Sequence, residues 1–214
     1  MPSRQQRPLT REAVLRRALE LADREGVGAL TMRRLGSELG VEAMSLYRHV
    51  ASKQALLEGL VELVLEDARA DPAAGDPGAA LRGWAHAFRA VARRHPEVVR
   101  LFATEPLATP AWAGAVESLL AVLRDAGVPD DAAVHAYRLV TTFTTGYVLW
   151  ELRQREQPAL DEYLRQLDPG VHPATHALAG ALREVNRDTE FEFGLDLLLG
   201  GVLDPGRAAH RRLA

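Results

Sequence analysis

The sequence predicts an all-α protein. Apolar residues recur three and four positions apart along most of the chain, which is the spacing of one face of an α-helix. Sustained alternation of apolar and polar residues is absent, and no run of β-branched residues resembles a strand. Capping residues, glycine and proline fall where the periodic segments begin and end. With 214 residues, 47% of them hydrophobic, the chain is long enough to bury a sizeable core.

Four helices are predicted in the first part of the chain, at about residues 11–25, 32–39, 43–49 and 53–69. Thr10, Thr31 and Ser52 each precede one of these helices, and their hydroxyl groups can accept hydrogen bonds from N–H groups of the first turn. Gly26 suits a left-handed conformation at the end of the first helix, and Gly40 turns the chain after the second.

A stretch rich in proline and glycine, residues 71–78, marks the predicted domain boundary. Six further helices are predicted beyond it, at about residues 77–95, 97–103, 110–126, 130–155, 174–186 and 188–202. Pro77, Pro110 and Pro129 fall at helix starts, where a missing N–H group costs nothing. The longest irregular stretch is expected at residues 156–173, and the tail from Asp204 is expected to fray.

Composition excludes several classes of site. The chain has no cysteine, so a disulfide, a thiolate metal site and a cysteine nucleophile are all impossible. No signal-like or membrane-spanning apolar segment is found, which predicts a cytoplasmic protein without a membrane partner. His172 and His176 are four apart, but Pro173 separates them and no third ligand is evident. We therefore expect a protein that binds no metal and no cofactor. Since no group of catalytic residues occurs in a convincing sequence context, we also expect that it is not an enzyme.

Charge is distributed unevenly along the chain. Residues 1–60 contain ten arginine and lysine residues against seven acidic ones, a balance of +3. Since the whole chain has a net charge of −3, the remainder must have −6. A basic N-terminal part, followed by an acidic remainder, suggests that only the N-terminal part binds a polyanion.

Residues 31–50, TMRRLGSELGVEAMSLYRHV, have the pattern of a helix-turn-helix. Leu35, Leu46 and Val50 are spaced to pack the two short helices on the first, and Gly36 allows their close approach. Six residues are left on or near the outward face of the second short helix: Ala43, Met44, Ser45, Tyr47, Arg48 and His49. Such a face can be merely solvated, but together with the charge asymmetry it favours DNA binding in the major groove.

The segment ALTMRRLGSELGVEAMSLYRHVASKQALL closely resembles the DNA-binding domain of the tetracycline-repressor family, and the match extends without a gap from about Leu9 to Leu65. Its signature Leu-Tyr-x-His-Val-x-x-Lys is specific. The resemblance implies that Arg33 reads a guanine, that Tyr47 and His49 contact phosphate and base edges, and that Lys53 binds a phosphate.

Two positions depart from the tetracycline-binding members of that family. Ala43 and Met44 stand where those members have glutamine and proline. The loss of the glutamine, an adenine reader, predicts a different operator. Met44 can instead contact a thymine methyl group.

Two C-terminal stretches, residues 142–149 and 191–201, resemble the family's core domain more weakly. The resemblance implies that their helices pair with those of a second copy in a four-helix bundle, which makes the protein a homodimer. The predicted interface is an apolar stripe on the last helix, Phe191, Leu195, Leu198, Leu199 and Val202. Burial of this stripe within one protomer remains the alternative.

The ligand site is expected to differ from that of the tetracycline-binding members. Phe102 and Trp150 stand where a histidine and a glutamate hold a magnesium chelate, and a hard cation needs oxygen ligands. Leu119 and Trp84 replace polar residues, and Phe88 matches a pocket phenylalanine. We therefore expect a metal-free, lipophilic or aromatic inducer, lined by Trp84, Phe88, Phe102, Leu119, Tyr147 and Trp150. Simple filling of the core by these side chains is the alternative.

The sequence thus predicts an N-terminal three-helix DNA-binding domain (residues 1–52), a connecting helix (53–70) and a helical ligand-binding and dimerisation domain (71–214). The expected function is that of a repressor released from double-stranded operator DNA by a small-molecule inducer. Two alternatives stay open: a DNA-binding regulator of the same fold without a ligand, and an enzyme or carrier on an all-α scaffold.

Overall fold

The computed structural model describes residues 9–69, 76–104, 109–154, 159–183 and 186–203, which are helical with no strand among them. The prediction of an all-α fold is confirmed. The helices are α1 (Arg11–Glu25), α2 (Met32–Leu39), α3 (Ala43–Leu46), α4 (Lys53–Glu66), α5 (Pro77–Arg94), α6 (Pro96–Thr104), α7 (Pro110–Asp125), α8 (Asp130–Gln154), α9 (Ala159–Gln166), α10 (Pro173–Ala177), α11 (Ala179–Arg183) and α12 (Arg187–Val202). A 3-10 turn, Val27–Ala29, joins α1 to the residues before α2.

Side-chain caps begin three of the first four helices, as predicted. The hydroxyl oxygens of Thr10 and Thr31 each accept a hydrogen bond of 3.1 Å from the backbone N–H three residues later, and Ser52 accepts one of 3.0 Å. Gly40 ends α2 in the left-handed conformation, with φ 68° and ψ 29°. These caps satisfy N–H groups that the helices themselves leave without partners.

Gly26 corrects one expectation. Its φ of 82° is positive, but its ψ of 154° lies outside the left-handed helical region. The chain leaves α1 in an extended direction and enters the 3-10 turn, in which the N–H of Ala29 donates to the carbonyl of Gly26. Glycine is still favoured here, because L side chains rarely adopt this φ.

Other corrections concern helix lengths. The helix expected at 43–49 ends at Leu46, because the N–H of His49 turns back to the Leu46 carbonyl at 2.9 Å. The helix expected to reach Arg69 ends at Glu66. The single helix expected at 174–186 is two helices, α10 and α11, which are separated at Leu178.

Helix α9 lies inside the stretch that was expected to be irregular, and its short apolar pattern explains the error. Leu164 is buried whereas Tyr163 is exposed, so few apolar positions mark the inward face. Glu162 accepts hydrogen bonds from Arg165 and Gln166, which stabilises the exposed side. The centre of the predicted breaker stretch, residues 71–75, and the tail from Asp204 lie outside the described residues.

The chain divides into two compact units. The described part of the first unit comprises residues 9–69, 86–104 and 109–118. In it α1 packs against α2, α4 and α6 around fully buried Leu15, Leu35, Leu46 and Leu56. The ring nitrogen Nδ1 of His95, between α5 and α6, lies 2.8 Å from a carboxylate oxygen of Asp23 on α1.

The described part of the second unit comprises residues 76–85, 119–154, 159–183 and 186–203. Its main packing is between α8 and α12. Arg82 of α5 donates hydrogen bonds to Glu192 and Asp196 of α12, at 2.6 and 2.5 Å. The packed units thus group residues 86–118 with the N-terminal part, whereas the division by role at residues 52 and 70 stays a prediction. None of the described helices is both long and apolar enough to cross a bilayer.

Candidate nucleic-acid interface and ligand-binding residues

The turn between α2 and α3 depends on a glycine. A Cβ atom on Gly36 would lie 2.8 Å from the backbone oxygen of Val41 and 3.2 Å from the backbone nitrogen of Ala43. The N–H of Val41 donates to the Gly36 carbonyl at 2.9 Å, which fixes the turn. The predicted role of Gly36 in the close approach of the two helices is confirmed. α3 is therefore held in one orientation on α2.

The predicted DNA-contacting residues cluster on α3, on the turn after it, and on neighbouring helix starts. Met44 is 72% exposed and Tyr47 is 44% exposed, a large apolar surface for a protomer in water. Arg48, Arg33 and Lys53 are also exposed. The other three predicted contacts, Ala43, Ser45 and His49, are half-buried. Because α3 ends at Leu46, Tyr47, Arg48 and His49 extend from the turn rather than from a helix.

Ion pairing separates two kinds of arginine in this unit. Arg34 donates to Glu25 at 2.5 Å and to Glu38 at 2.9 Å, and these hydrogen bonds to the two carboxylates raise its pKa. Glu38 accepts hydrogen bonds from Arg34 and from Arg24, and these two bonds, the one from Arg34 first, lower its pKa. Arg34 is thus occupied in holding α2 against the end of α1. Its neighbour Arg33 is exposed.

Three cations of the predicted interface form no ion pair within the part of the chain that the structure describes: Arg33, Arg48 and Lys53. By contrast Arg11, Arg16, Arg17, Arg24 and Arg34 each pair with a glutamate. Unpaired surface cations are the groups that a phosphate backbone can engage without first breaking a protein contact. The sequence predicts Arg33 and Lys53 by resemblance and Arg48 by its outward position on the second short helix, whereas the lack of ion pairs gives a physical reason for all three.

The apolar stripe on α12, predicted as a dimer interface, is buried inside the protomer at three of its five positions. Phe191, Leu195 and Leu199 are buried, and the Phe191 ring stacks on Phe143 of α8 at a centroid distance of 5.7 Å. Leu198 and Val202 are half-buried. For the three buried residues, the structure thus supports the alternative prediction, burial within one protomer.

A different face of α12 is exposed. Phe193 is 64% exposed and Leu197 is 62% exposed, and the two lie four residues apart on one side of the helix. Sequence reasoning missed them because the last helix is apolar on more than one side. Helical spacing alone could not tell which side faces α8.

The six predicted ligand-binding residues divide between the units and between two degrees of burial. Trp84, Phe88 and Leu119 are buried, whereas Phe102, Tyr147 and Trp150 are half-buried. Phe88 and Phe102 lie in the first unit, with ring centroids 6.4 Å apart. Tyr147 and Trp150 lie in the second unit, with centroids 5.5 Å apart. Neither pair contains a carboxylate.

The Tyr147 hydroxyl group is already engaged by α12. It lies 2.8 Å from the backbone oxygen of Arg187 and 3.1 Å from a carboxylate oxygen of Glu190. The Tyr147 ring also packs on Phe191, at a centroid distance of 5.2 Å. Tyr147 therefore holds α8 and α12 together, and its polar end faces the start of α12.

The residues at the magnesium-binding positions of the tetracycline-binding members do not fit a metal. The Phe102 and Trp150 side chains offer no oxygen ligand, and their rings pack on other aromatic rings. Within the described ranges, no group of three or more histidine or acidic side chains is placed to hold an ion.

Comparisons with known proteins assign both parts of the chain. The family model described as bacterial regulatory proteins, tetR family, matches residues 14–60, and the model described as tetracyclin repressor-like, C-terminal domain, matches residues 70–204. The chain is 34% identical over 200 residues to the tetracycline repressor protein class C of Escherichia coli, covering 91% of this chain and 90% of that protein.

A second curated relative is the HTH-type transcriptional repressor DrrR1 of Streptomyces coeruleorubidus, 34% identical over 158 residues. That match covers 72% of this chain, and it spans only 58% of the relative's length. Among solved structures, ActR of Streptomyces coelicolor in complex with actinorhodin superimposes with a TM-score of 0.78 at 28% identity, covering 94% of this chain and 99% of that chain.

Proposed function

This chain belongs to the tetR family of bacterial regulatory proteins, and we propose that it is a homodimeric repressor released from its operator by a lipophilic, aromatic small molecule. Double-stranded DNA and the inducer are then its partners, and the cytoplasm is where it acts. The observation that carries the DNA-binding part is that three exposed cations, Arg33, Arg48 and Lys53, form no ion pair within the described ranges, while Met44 and Tyr47 are exposed as well.

DNA recognition divides between affinity and sequence selection. Arg48 and Lys53 supply phosphate contacts, which give affinity and a steep dependence on salt. Arg33 donates to O6 and N7 of a guanine, and Met44 contacts a thymine methyl group. Tyr47 and His49 reach phosphate and base edges, and Ala43 and Ser45 allow α3 to approach the groove closely. Two such units in a dimer read half-sites about one DNA turn apart, roughly 34–36 Å.

The dimer forms through the exposed face of α12. Phe193 and Leu197 are too exposed and too apolar for a face that stays in water, and half-buried Leu198 and Val202 border it. Arg82 of α5 forms ion pairs with Glu192 and Asp196 of this helix. Burying Phe193 and Leu197 against the same residues of a second copy removes both from solvent.

Within the second unit, the inducer contacts the aromatic residues Trp84, Tyr147 and Trp150 of the predicted set, with Leu119 as an aliphatic contact. Contacts from Phe88 and Phe102 stay a prediction. ActR, the similar structure described above, is in complex with actinorhodin, an indication that this fold accepts a ligand of that kind. Release from DNA requires only that the inducer bind the DNA-free state more tightly than the DNA-bound state. A ligand with equal affinity for the two states would shift nothing, however tightly it bound.

Operator selection and ligand release together test this function. The full-length protein is used to select binding sequences from a random DNA pool, and complexes with the selected operator are then titrated with actinorhodin, with and without a chelator. We expect a twofold-symmetric operator and release that the chelator leaves unchanged. Chelator-sensitive release would contradict a metal-free ligand. Stable complexes across a broad panel of aromatic ligands would favour the regulator without a ligand.

One substitution in the operator tests Met44 directly. Replacing thymine by uracil removes the methyl group and changes nothing else in the groove. The affinity of the wild-type protein should fall at one position of each half-site, and Met44→Ala should abolish that difference. Equal affinity for thymine and uracil operators would remove Met44 from the contacts.

A further inference from the structure

We infer that the Thr144 hydroxyl group hydrogen-bonds the bound small molecule, so that the ligand must have a hydroxyl or carbonyl group on its aromatic body. This inference rests on the ligand binding proposed above, and it adds a residue and a chemical requirement to that site. It depends on a buried hydroxyl group that has no hydrogen-bond partner among the residues the structure describes.

Thr144 lies near the middle of α8, and its side chain is fully buried. Its Oγ1 atom has no hydrogen-bond partner within the described part of the chain. Most buried hydroxyl groups are paired, because leaving one without a partner in an apolar interior is costly. A buried hydroxyl group without a partner therefore calls for a specific reason.

Comparison with other helical hydroxyl groups makes Thr144 unusual. Thr141 donates back to the Tyr137 carbonyl at 2.8 Å, and Ser118 donates back to the Gly114 carbonyl at the same distance. This back-bonding is the ordinary way in which a helix satisfies a serine or threonine. Thr144 lies only three residues beyond Thr141 on the same helix, yet its hydroxyl group is not used in this way.

The face of α8 on which Thr144 lies is apolar next to it. Val140 and Val148, one turn before and one turn after it on α8, are buried and apolar. A wall of apolar side chains with one well-placed polar group is typical of small-molecule sites. Tyr147 is adjacent to Thr144 on the helix by its spacing of three residues, and it belongs to the predicted ligand-binding set.

Thr144 rather than Tyr147 is the polar contact that α8 can offer. The Tyr147 hydroxyl group is engaged by the Arg187 carbonyl and the Glu190 carboxylate, whereas that of Thr144 is unused. A threonine hydroxyl group can donate or accept by rotating, so it can pair with a carbonyl or with a hydroxyl group on the ligand. It has no charge, so it gives no preference for an ionised group.

Three variants of the full-length protein test the inference. Thr144→Val keeps the shape and removes the hydroxyl group, Thr144→Ser keeps the hydroxyl group, and Thr141→Val removes one that is already paired within the helix. Each is titrated with actinorhodin and with tetracycline, with quenching of tryptophan fluorescence as the readout. Unfolding temperatures are measured without ligand.

We expect Thr144→Val to weaken binding of a hydroxylated aromatic probe by roughly threefold to tenfold, the effect of one hydrogen bond. Thr144→Ser and Thr141→Val should stay within about twofold of the wild type, since both keep the Thr144 contact. Without ligand, Thr144→Val should unfold at the same temperature as the wild type or higher, because an unpaired buried hydroxyl group has been replaced by a methyl group.

The outcomes separate this inference from the proposed function. Tight binding by the wild type and equally tight binding by Thr144→Val would overturn the role of Thr144 and leave ligand binding in place. A lower unfolding temperature for unliganded Thr144→Val would also overturn it, since the hydroxyl group would then have a partner in the free protein. A wild type that quenches with neither probe would refute aromatic ligand binding, and the inference with it.

Discussion

Packing of α8 on α12 requires a glycine at position 194. A Cβ atom added there would overlap Cζ of Phe143 and would lie 2.6 Å from Cε2 of the same ring. The ring cannot simply swing aside, because it stacks on Phe191 at 5.7 Å and packs on Tyr147 at 5.8 Å. Gly194→Ala must therefore displace an aromatic side chain that joins the two helices.

The change in the free energy of unfolding combines two costs and one gain. Overpacking of a well-packed core costs about 1–3 kcal/mol. Alanine in place of glycine inside a helix recovers about 0.8–1.0 kcal/mol. Loss of aromatic stacking adds about 0.5–1.5 kcal/mol for each disturbed pair. With both pairs of Phe143 disturbed, we expect a net destabilisation of about 1–5 kcal/mol. This lowers the unfolding temperature by about 2–20 °C in a chain of this length.

The assay is thermal and urea unfolding followed by circular dichroism, with a matched glycine as the control. Gly83 lies in α5, is exposed, and has nothing within 4 Å of the position of an added Cβ atom. Gly83→Ala should therefore raise stability by about 0.5–1 kcal/mol through helix propensity alone. In a Phe143→Ala background, Gly194→Ala should lose its cost, because the ring that it displaces is gone. A Gly194→Ala protein at least as stable as the wild type, or one whose cost persists undiminished without the ring, would refute this packing argument.

Three further predictions concern the turn, α12 and an ion pair. Gly36→Ala should lower the unfolding temperature and the operator affinity together, because the added Cβ would lie 2.8 Å from a backbone oxygen of the turn. Leu195→Ala should cost about 2–5 kcal/mol in urea unfolding, since the side chain is fully buried, whereas Leu197→Ala should chiefly shift sedimentation toward the protomer. Arg34 lowers the pKa of Glu38 in the folded protein below its usual 4.5. The ion pair therefore contributes its full stability to the fold above pH 4.5, and this contribution is lost as the pH falls through the lowered pKa of the folded protein. Glu38→Gln should remove that part of the acid-side fall in unfolding temperature.

A specific experimental result would contradict each of these three predictions. Gly28→Ala, at an exposed glycine with nothing within 4 Å of an added Cβ, should leave operator affinity unchanged, and an equal loss in both variants would discredit the turn argument. A Leu197→Ala protein that sediments as the wild type does would move the dimer contact elsewhere. Acid profiles of the unfolding temperature that coincide for the wild type and Glu38→Gln would mean that the ion pair adds no measurable stability.

Local signals in the sequence predicted the beginnings of helices well. Thr10, Thr31 and Ser52 cap their helices as expected, because an N-cap needs only a hydroxyl group followed by a helical segment. Gly36 and Gly40 were also predicted, since a tight turn between short helices restricts side-chain size and backbone conformation at those positions. The missed helix α9 had too few apolar residues for its periodicity to stand out.

The errors at the site have a different physical origin. Phe191 and Phe193 are two residues apart on one helix, and the sequence does not tell which of them faces α8 and which faces outward. Neighbouring Arg33 and Arg34 look alike in the sequence, but only Arg34 reaches Glu25 and Glu38. Nothing in the sequence marks Thr144 within the stretch 142–149, because whether a buried hydroxyl group has a partner depends on its tertiary surroundings. These features depend on tertiary contacts, and periodicity does not encode them.

The most direct test of the account is fluorescence anisotropy of the full-length protein on the DNA upstream of its own gene, across a salt series. Arg33→Ala and Tyr47→Ala serve as interface variants, and Arg16→Ala, whose guanidinium group already pairs with Glu12, as the matched control. We predict tight binding that falls steeply with salt, a loss with both interface variants and little change with the control. Binding no tighter than to random DNA, or equal losses in all three variants, would contradict sequence-specific recognition by α3 and the cations around it.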